Sequence, residues 1–327
     1  MLLDILKKHL TIEALVGLLN RLPPLRTPIM DLIYPESVRF NHPFDRLSVS
    51  DLGLPAKNIP LITRGSVSYA ITPDKTKIKQ IEPANITPSH FVDASDLNRL
   101  KTLGFAQVQQ WVQNKIDDLR KASRLTTEAM ATQSITGKIN YDIRTADGNF
   151  DKYEVNFGTP KTVTLDKKWD AADAKAQHIV AGVGKIIESI QQTSLGTDIV
   201  HLINWDVYSA LVGISAALNN PEIIKVFENH IQIGTAKFLV CSAQYYDYKA
   251  KTNVSAIPAK TVVSIARDDA FKLAYCALDS VEANFAALAF FVRQITSDDP
   301  EGIKLLSQSR PMPIPNVEAI RNTQVLS

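Results

Sequence analysis

Residues 96–136 carry a long run of apolar side chains at helical spacing, and this run limits the possible folds more than any other feature. The apolar positions recur about every 3.6 residues opposite a polar face; they are Leu97, Leu100, Leu103, Val108, Trp111, Val112, Ile116, Leu119, Leu125, Ala129 and Met130. Ser95 or Asp96 is the expected N-cap, and Gly137 is expected to end the helix. Gly104 is a position where the first turn can be broken from the rest of the helix. A continuous helix of about 36 residues would extend roughly 54 Å, which favours an extended body.

A β-hairpin is predicted directly after this helix. The segments KINYDIR (138–144) and KYEVNFG (152–158) both alternate apolar and polar residues. They flank Asp147-Gly148, a dipeptide typical of tight hairpin turns. This is the clearest β element in the chain.

The first third of the chain contains two segments with different sequence patterns. Residues 2–22 place leucines three and four positions apart, which predicts an amphipathic helix ended by Pro23 and Pro24. That helix is either part of a core or an arm that binds a partner. Residues 23–95 are dense in proline, so long helices are not expected there.

Two short strands, Val67–Ile71 and Lys77–Ile81, are predicted inside the proline-rich stretch. A ribbon of two strands is only marginally stable in water, so it implies a partner surface on its own chain or another. The ribbon is also basic, because only Asp74 accompanies Lys57, Arg64, Lys75, Lys77 and Lys79. These cations either blunt a solvated strand edge or dock on an acidic patch of a neighbouring subunit.

Residues 165–280 form a mixed unit of helices and strands. Helices are predicted at 170–193, 205–218 and 221–228, and strands at Ile199–Ile203, 238–248 and 261–266. The proline-rich stretch SRPMPIPN (309–316) and a closing strand follow.

Composition excludes several classes of protein. The 327 residues carry a net charge of +2, from 36 basic and 34 acidic residues, whereas a dedicated nucleic-acid binder is usually far more basic. Cys241 and Cys276 lie in apolar stretches and are too few for a disulfide framework, so buried thiols and cytosolic folding are expected. Charges interrupt the N-terminal apolar segment, and the longest apolar run, Phe285–Val292, is far below the ~20 residues of a membrane helix. Neither a targeting segment nor a membrane partner is expected.

Motifs for chemistry are missing from the sequence. The segment AGVGKIIES (181–189) resembles the end of a phosphate loop, but Ile179 before it stands where that loop needs glycine. Ile186 stands where the loop needs serine or threonine. The histidines and paired acids show no metal-ligand or catalytic spacing; they are His9, His42, His90, His178, His201, His230, Asp117-Asp118 and Asp268-Asp269. We therefore predict no catalytic, cofactor-binding or metal-binding residues, no cofactor and no enzymatic activity.

The order of these elements resembles the major capsid protein E family of tailed phages. IPLITRGSVSYAITPDKTKIKQIEP is similar to the family's extended loop, and ITGKINYDIRTADGNFDKYEVNFG to its passage from long helix to hairpin. Trp169 with AADA resembles the start of the next domain, and DDPEGIKLLSQSRPMPIPN resembles the closing segment. The resemblance covers nearly all of the chain from about residue 30, and it implies an α+β chain with the Hong Kong 97 capsid fold.

The resemblance also implies a domain division and a set of partners. The implied parts are an N-terminal arm at 1–45, an extended loop at 46–95, a peripheral domain at 96–165 that is completed by 285–327, and an axial domain at 166–284. Family members assemble as pentamers and hexamers into an icosahedral shell around the genome. This implies a virion capsid assembled in the host cytoplasm, with scaffold, portal and decoration proteins as partners and non-specific contact with packaged DNA.

Some relatives form covalent Lys–Asn cross-links between subunits, for which Lys75 or Lys77 are candidates by position alone. Three alternatives stay open from the sequence. One is an encapsulin-like compartment with the same fold, another is a hydrolase-like domain at 165–285, and the third is a tail or connector component that forms a ring or tube.

Overall fold

The computed structural model describes residues 22–48, 80–101, 105–194, 196–217 and 223–327. The predicted helix at 2–22, apart from Leu22, lies outside these ranges. So does the predicted basic ribbon, apart from Gln80 and Ile81, together with the cross-link candidates Lys75 and Lys77.

The described helices are α1 (Pro28–Ile33), α2 (Ala94–Lys101), α3 (Phe105–Ser134), α4 (Ala176–Gln191) and α5 (Trp205–Ala217). The described strands are β1 (Arg39–His42), β2 (Ser89–Asp93), β3 (Lys138–Arg144), β4 (Phe150–Asn156), β5 (Lys161–Thr162), β6 (Ile199–Ile203), β7 (Ile224–Val226), β8 (His230–Ile233), β9 (Ala236–Val240), β10 (Gln244–Asp247), β11 (Thr252–Ser255), β12 (Thr261–Ala266), β13 (Lys272–Cys276), β14 (Phe291–Asp298), β15 (Glu301–Gln308), β16 (Pro311–Ile314) and β17 (Ile320–Gln324).

The predicted long helix corresponds to α2 and α3, which flank residues 102–104. α3 alone has 30 residues, a length of about 45 Å. The N-cap prediction was wrong, because the carboxylate of Asp93 accepts the amide of Asp96 at 2.7 Å. Asp93 is the last residue of β2, so the strand supplies the cap as the chain turns into the helix.

Gly137 ends the helix as predicted, for a steric reason. Its φ is +83°, and a Cβ atom there would lie 2.2 Å from the carbonyl oxygen of Gly158. Only glycine fits this left-handed position against the neighbouring backbone. The stop therefore also positions the hairpin that follows.

One face of α3 packs on a three-stranded sheet with the order β14-β15-β2. The helix residues of this core recur at helical spacing and meet alternate residues of the strands; the buried members are Val108, Val112, Ile116, Leu119, Val292, Ile303 and Leu305. The hairpin of β3 and β4 was predicted correctly, with Tyr141 opposite Tyr153 and a positive φ at Gly148.

A seven-stranded sheet has the order β5-β17-β12-β6-β9-β8-β7. The prediction for β6 was correct to the residue, and α5 covers all the described residues of the helix predicted at 205–218. The helix predicted at 221–228 was wrong for the described residues from 223 onwards, where β7 forms instead. Ile224 is buried and pairs with Ile233 of β8, so this short segment obtains its backbone hydrogen bonds from the sheet edge.

α4 begins at Ala176 and not near residue 170 as predicted. The preceding residues bond to the closing segment of the chain. The amide of Trp169 donates to Val325 O at 2.8 Å, and the carboxylate of Asp170 accepts the amide of Ser327 at 2.9 Å. These long-range bonds replace the first helical turn.

β13 lies between β1 and β16 in a separate three-stranded sheet, parallel to β1 and antiparallel to β16. The thiols of Cys241 and Cys276 are buried as predicted. Burial raises the pKa of Cys276 to about 11, so this cysteine is an unreactive core residue.

Candidate assembly surface

Leu47 and Ile81 form an isolated antiparallel bridge, each within two residues of the undescribed range 49–79. The amide of each residue donates to the carbonyl of the other at 2.9 Å. Leu47 is fully buried, in a cluster that includes Met130 and Met312. The chain between the two residues therefore starts and ends at one place, and we call this residue pair the neck.

Arg310 fastens the chain that follows the neck to β13 and β16. Its guanidinium donates to Pro83 O at 2.9 Å and to Ala277 O at 3.2 Å, and it lies 3.2 Å from the Asp279 carboxylate. The side chain is only 4% exposed. Because a buried guanidinium is costly without several acceptors, these bonds hold one defined arrangement of the surrounding segments.

The residue next to Arg310 continues the same attachment. Ser309 and Ile86 exchange backbone hydrogen bonds of 2.8 and 3.0 Å. The hydroxyl of Ser309 also donates to Ala289 O at 2.8 Å. The Ser-Arg-Pro turn thus connects the neck to the strands before and after it.

A buried carboxylate attaches α1 to the spine helix α3. The two oxygens of Glu128 accept the amides of Ile29 and Met30, each at 2.7 Å. Those amides belong to the first turn of α1, where no helical carbonyl is available to them. Burial raises the pKa of the Glu128 carboxyl, while the two amide bonds oppose that rise.

Charged partners surround this attachment. Asp31 accepts hydrogen bonds from Arg124 and from Arg39 at 2.6 Å. Burial alone would raise the pKa of Asp31, but the hydrogen bonds from Thr27, Arg39 and Arg124 hold it below its ordinary value. The chain before α1 follows α3, since Arg120 donates to Pro23 O at 2.7 Å.

The hairpin of β3 and β4 is joined to β10 by an ion-pair triad. The ammonium of Lys152 lies 2.7 Å from Asp142 and 3.0 Å from Asp247. Burial disfavours the charged form of Lys152, but the two carboxylates raise its pKa overall. Beside the triad, the rings of Phe150 and Tyr248 stack with their centres 5.6 Å apart.

Two apolar surfaces of the described residues lie open to solvent. In the first, Val281, Phe44 and Phe285 are 80%, 66% and 59% exposed. The second adjoins the edge strand β7, where Trp205 is 50% and Phe227 43% exposed. Large exposed apolar side chains that cluster in this way are typical of contact surfaces.

A small polar cleft of about 190 Å³ lies between the end of α3, the hairpin and β10. It is lined by residues that include Thr132, Lys138, Lys152 and Asp247. Lys152 is paired with Asp247, so the charged groups partly neutralise each other. Within the described ranges, no three His, Cys, Asp or Glu side chains gather in a way that could hold a metal ion.

The histidines and acidic residues considered in the sequence as possible catalytic or metal-binding groups each have separate local contacts in the structure. His42 bonds to Arg46 O at 3.0 Å, His178 accepts the amide of Lys175 at 3.0 Å, and His201 bonds to Ser264 Oγ at 2.7 Å. His90 lies 4.0 Å from Asp118, Asp117 pairs with Arg120, and the ring of His230 stacks on Phe227. The AGVGKIIES segment lies inside α4, and His9 lies outside the described residues.

Comparison with known proteins identifies the family of this chain. The sequence profile of the family described as phage major capsid protein E matches residues 11–325. This chain belongs to the phage major capsid protein E family. No curated protein sequence matches it.

The chain is also similar to solved structures, and the first of those named here has a TM-score above 0.5. A candidate capsid protein of an Escherichia coli CFT073 prophage is similar with a TM-score of 0.65 and 16% identity, over 97% of this chain and 99% of that one. A phage-related protein of Bordetella bronchiseptica RB50 has a TM-score of 0.48 and 9% identity, over 96% and 97% of the chains. The capsid of an empty GTA particle has a TM-score of 0.47 and 11% identity, over 94% and 92%.

The capsid protein therefore has the predicted α+β Hong Kong 97 fold, and it is a structural subunit that assembles with its own copies into a phage capsid. It is not an enzyme, so the hydrolase alternative for 165–285 was wrong. Among the helices of the described residues, none is both long and apolar enough to cross a membrane. The sequence predictions did not include Arg310 or Glu128. The lone charge of Arg310 at the start of a proline-rich stretch is a signal of a buried, paired group, whereas Glu128 is one polar position among several on a long helix.

Proposed function

We propose that this chain is the repeating subunit of an icosahedral shell, assembled from pentamers and hexamers, that encloses the phage genome. The observation that supports the proposal is the neck. Leu47 and Ile81 fix both ends of the intervening chain at one point of a well-packed body. A segment held in this way is suited to reach a neighbouring copy while the body stays folded.

The same proposal assigns roles to the parts of the chain. Residues 1–45 act as an arm, 46–95 as an extended loop, 96–165 with 285–327 as a peripheral domain, and 166–284 as an axial domain. Each contact between copies is weak, but many symmetric contacts per subunit raise the effective concentration of every other contact. The stability of the shell then arises from the number of contacts between copies and from their symmetric arrangement.

Other partners follow from the same role. Scaffold, portal and decoration proteins bind the shell, which is assembled in the host cytoplasm. The packaged DNA touches it without sequence preference. The net charge of +2 supports loose contact with DNA, because tight binding requires neutralisation of many phosphates.

Deletion of residues 57–80 tests the proposal. We expect folded monomers or small oligomers, observed by sedimentation velocity and negative-stain microscopy, where the full chain forms closed particles. Lys251→Gly, at an exposed turn position between β10 and β11 with a φ of 56°, serves as the control and is expected to leave particles intact. Normal shells from the 57–80 deletion would contradict the proposal.

A further inference from the structure

The exposed apolar residues Phe44, Val281 and Phe285 lie on two chain segments that meet at one end of β13, and we call these three residues the apolar knob. The carbonyl of Phe44 accepts the amide of Ala277 at 3.2 Å, directly after β13. Ala277 bridges Ala287, and the turn between them carries Val281 and Phe285. The segments that carry the three residues are therefore joined at Ala277.

The turn that carries the knob is internally bonded. Phe285 N donates to Ser280 O at 3.0 Å and Asn284 N to Val281 O at 2.9 Å. Beneath it, Leu278, Ala283 and Phe291 form a small buried core. The backbone thus holds Val281 and Phe285 in solvent by its own hydrogen bonds.

This presentation has an energetic cost. Asn284 and Phe285 both have left-handed backbone angles, with φ of 51° and 53°. Asparagine adopts such angles comparatively often, whereas they are strained for a phenylalanine. This turn holds a phenylalanine and a valine in solvent although the backbone of Phe285 is strained. Such a turn is suited to a contact that covers both side chains.

Carboxylates surround the knob. Asp45, Glu82, Asp279 and Glu282 have side chains that are 54–62% exposed. Their nearby cations are less open, since Arg310 is 4% and Arg293 28% exposed, and only Arg46 reaches 54%. With four carboxylates to three arginines, the charged groups near the apolar knob have a net negative charge, and the carboxylates are the more exposed of them; we call these four carboxylates the acidic rim.

One segment of this chain complements both properties. Residues 57–79 carry Lys57, Arg64, Lys75, Lys77 and Lys79 against a single Asp74, and they also contain apolar residues such as Ile59, Leu61 and Ile62. We propose that the apolar knob and its acidic rim bind the 57–79 segment of a second copy of the chain. This inference rests on the proposed function and specifies which surface receives the loop.

Photo-cross-linking tests the contact directly. The phenylalanine at position 285 is replaced by p-benzoylphenylalanine in the full chain, and ¹⁴N- and ¹⁵N-labelled copies are mixed before assembly. We expect mixed-isotope cross-links from position 285 to peptides within 57–79. The same photo-reactive residue at Val180, which is 45% exposed on α4, is expected to give none.

Substitution provides an independent measurement. Val281→Asp adds a like charge to the acidic rim and is expected to reduce the protein recovered in shells by about tenfold or more, because the loss is repeated at every subunit. The control Val180→Asp is expected to leave the yield unchanged. Circular dichroism checks that both variants are folded.

The outcomes separate the two proposals. Intact shells from Val281→Asp, cross-links within one copy, or cross-links to another region would overturn the assignment of the knob and leave the shell-forming role in place. A full chain that forms no oligomer and gives no cross-link between copies would overturn both.

Discussion

Arg321 of β17 and Ser189 of α4 are joined by two hydrogen bonds, from Nε to the Ser189 hydroxyl at 2.8 Å and from Nη2 to the Ser189 carbonyl at 2.6 Å. Arg321 also donates to the carbonyls of Glu318 and Ile320 at 2.9 and 2.8 Å and to the hydroxyl of Thr193. The residue is fully buried. It places a positive charge at the carbonyl end of α4, where the helix dipole favours it.

We expect Arg321→Lys to lower the free energy of unfolding by about 3 kcal/mol, because an ammonium cannot reach all of these acceptors and leaves buried carbonyls without donors. Urea unfolding of unassembled subunits measures the change. Arg267→Lys, at an exposed pair with Asp198, is the matched control and is expected to change stability by under about 1 kcal/mol. Equal losses in the two variants would contradict the role of Arg321.

Acidification is expected to destabilise the subunit through His201. Burial lowers the pKa of this histidine to about 4 from an ordinary 6.5, and its ring stacks on Phe238 with centres 4.6 Å apart. Between these two pKa values the unfolded chain binds a proton that the folded chain does not. The contribution of neutral His201 to the free energy of unfolding is therefore fully present above pH 6.5, and it falls by about 3 kcal/mol as the pH drops to 4.

His201→Gln removes this titration and keeps a hydrogen-bonding group near Ser264. Urea unfolding at a series of pH values is expected to show a smaller loss of stability for the variant than for the parent between pH 6.5 and 4. Parallel pH profiles for the two proteins would show that His201 does not titrate in this range.

Arg310→Lys is expected to loosen the neck without unfolding the body. The lysine cannot contact Pro83, Ala277 and Asp279 together, so the amides of Leu47 and Ile81 should exchange with solvent about tenfold faster or more, a cost of roughly 1.4 kcal/mol. Hydrogen exchange monitored by NMR or mass spectrometry measures this. Arg46→Lys, at an exposed position, is the control. Unchanged exchange of the Ile81 amide in Arg310→Lys would show that Arg310 does not stabilise the neck.

Gly137→Ala is expected to destabilise the subunit by about 3 kcal/mol or more, because it combines a strained φ with a steric clash against Gly158. Gly184 provides a matched control, since nothing lies within 4 Å of a Cβ built there in α4. Gly184→Ala is expected to raise stability by about 0.5–1 kcal/mol through helix propensity. Thermal unfolding of both variants checks the opposite signs.

Elements with a strong local pattern were predictable from the sequence. The spine helix, the hairpin around Asp147-Gly148 and the strand β6 follow from apolar periodicity and turn chemistry within the segment itself. The segment at 221–228 was not predictable in this way, because Ile224 becomes part of a strand only through its pairing with Ile233 of β8. Short segments at a sheet edge depend on partners that a local pattern does not contain.

The contacts of the candidate assembly surface required the structure. Glu128 reads as one polar position on a long helix, and nothing near it in the sequence indicates that Ile29 and Met30 are its partners. Arg310 likewise finds Pro83 more than two hundred residues earlier in the chain. The resemblance to the capsid family predicted that an extended loop exists, but not which side chains hold its base.

The three-stranded sheet of β1, β13 and β16 has a consequence for the timing of folding. Its strands come from residues 39–42, 272–276 and 311–314, so it forms only after very long stretches of chain have been brought together. Closing such distant contacts is slow, and they belong to the late steps of folding. Because Arg310 directly precedes β16, a subunit in which this sheet has not formed also lacks the hydrogen bonds from Arg310 to Pro83 and Ala277.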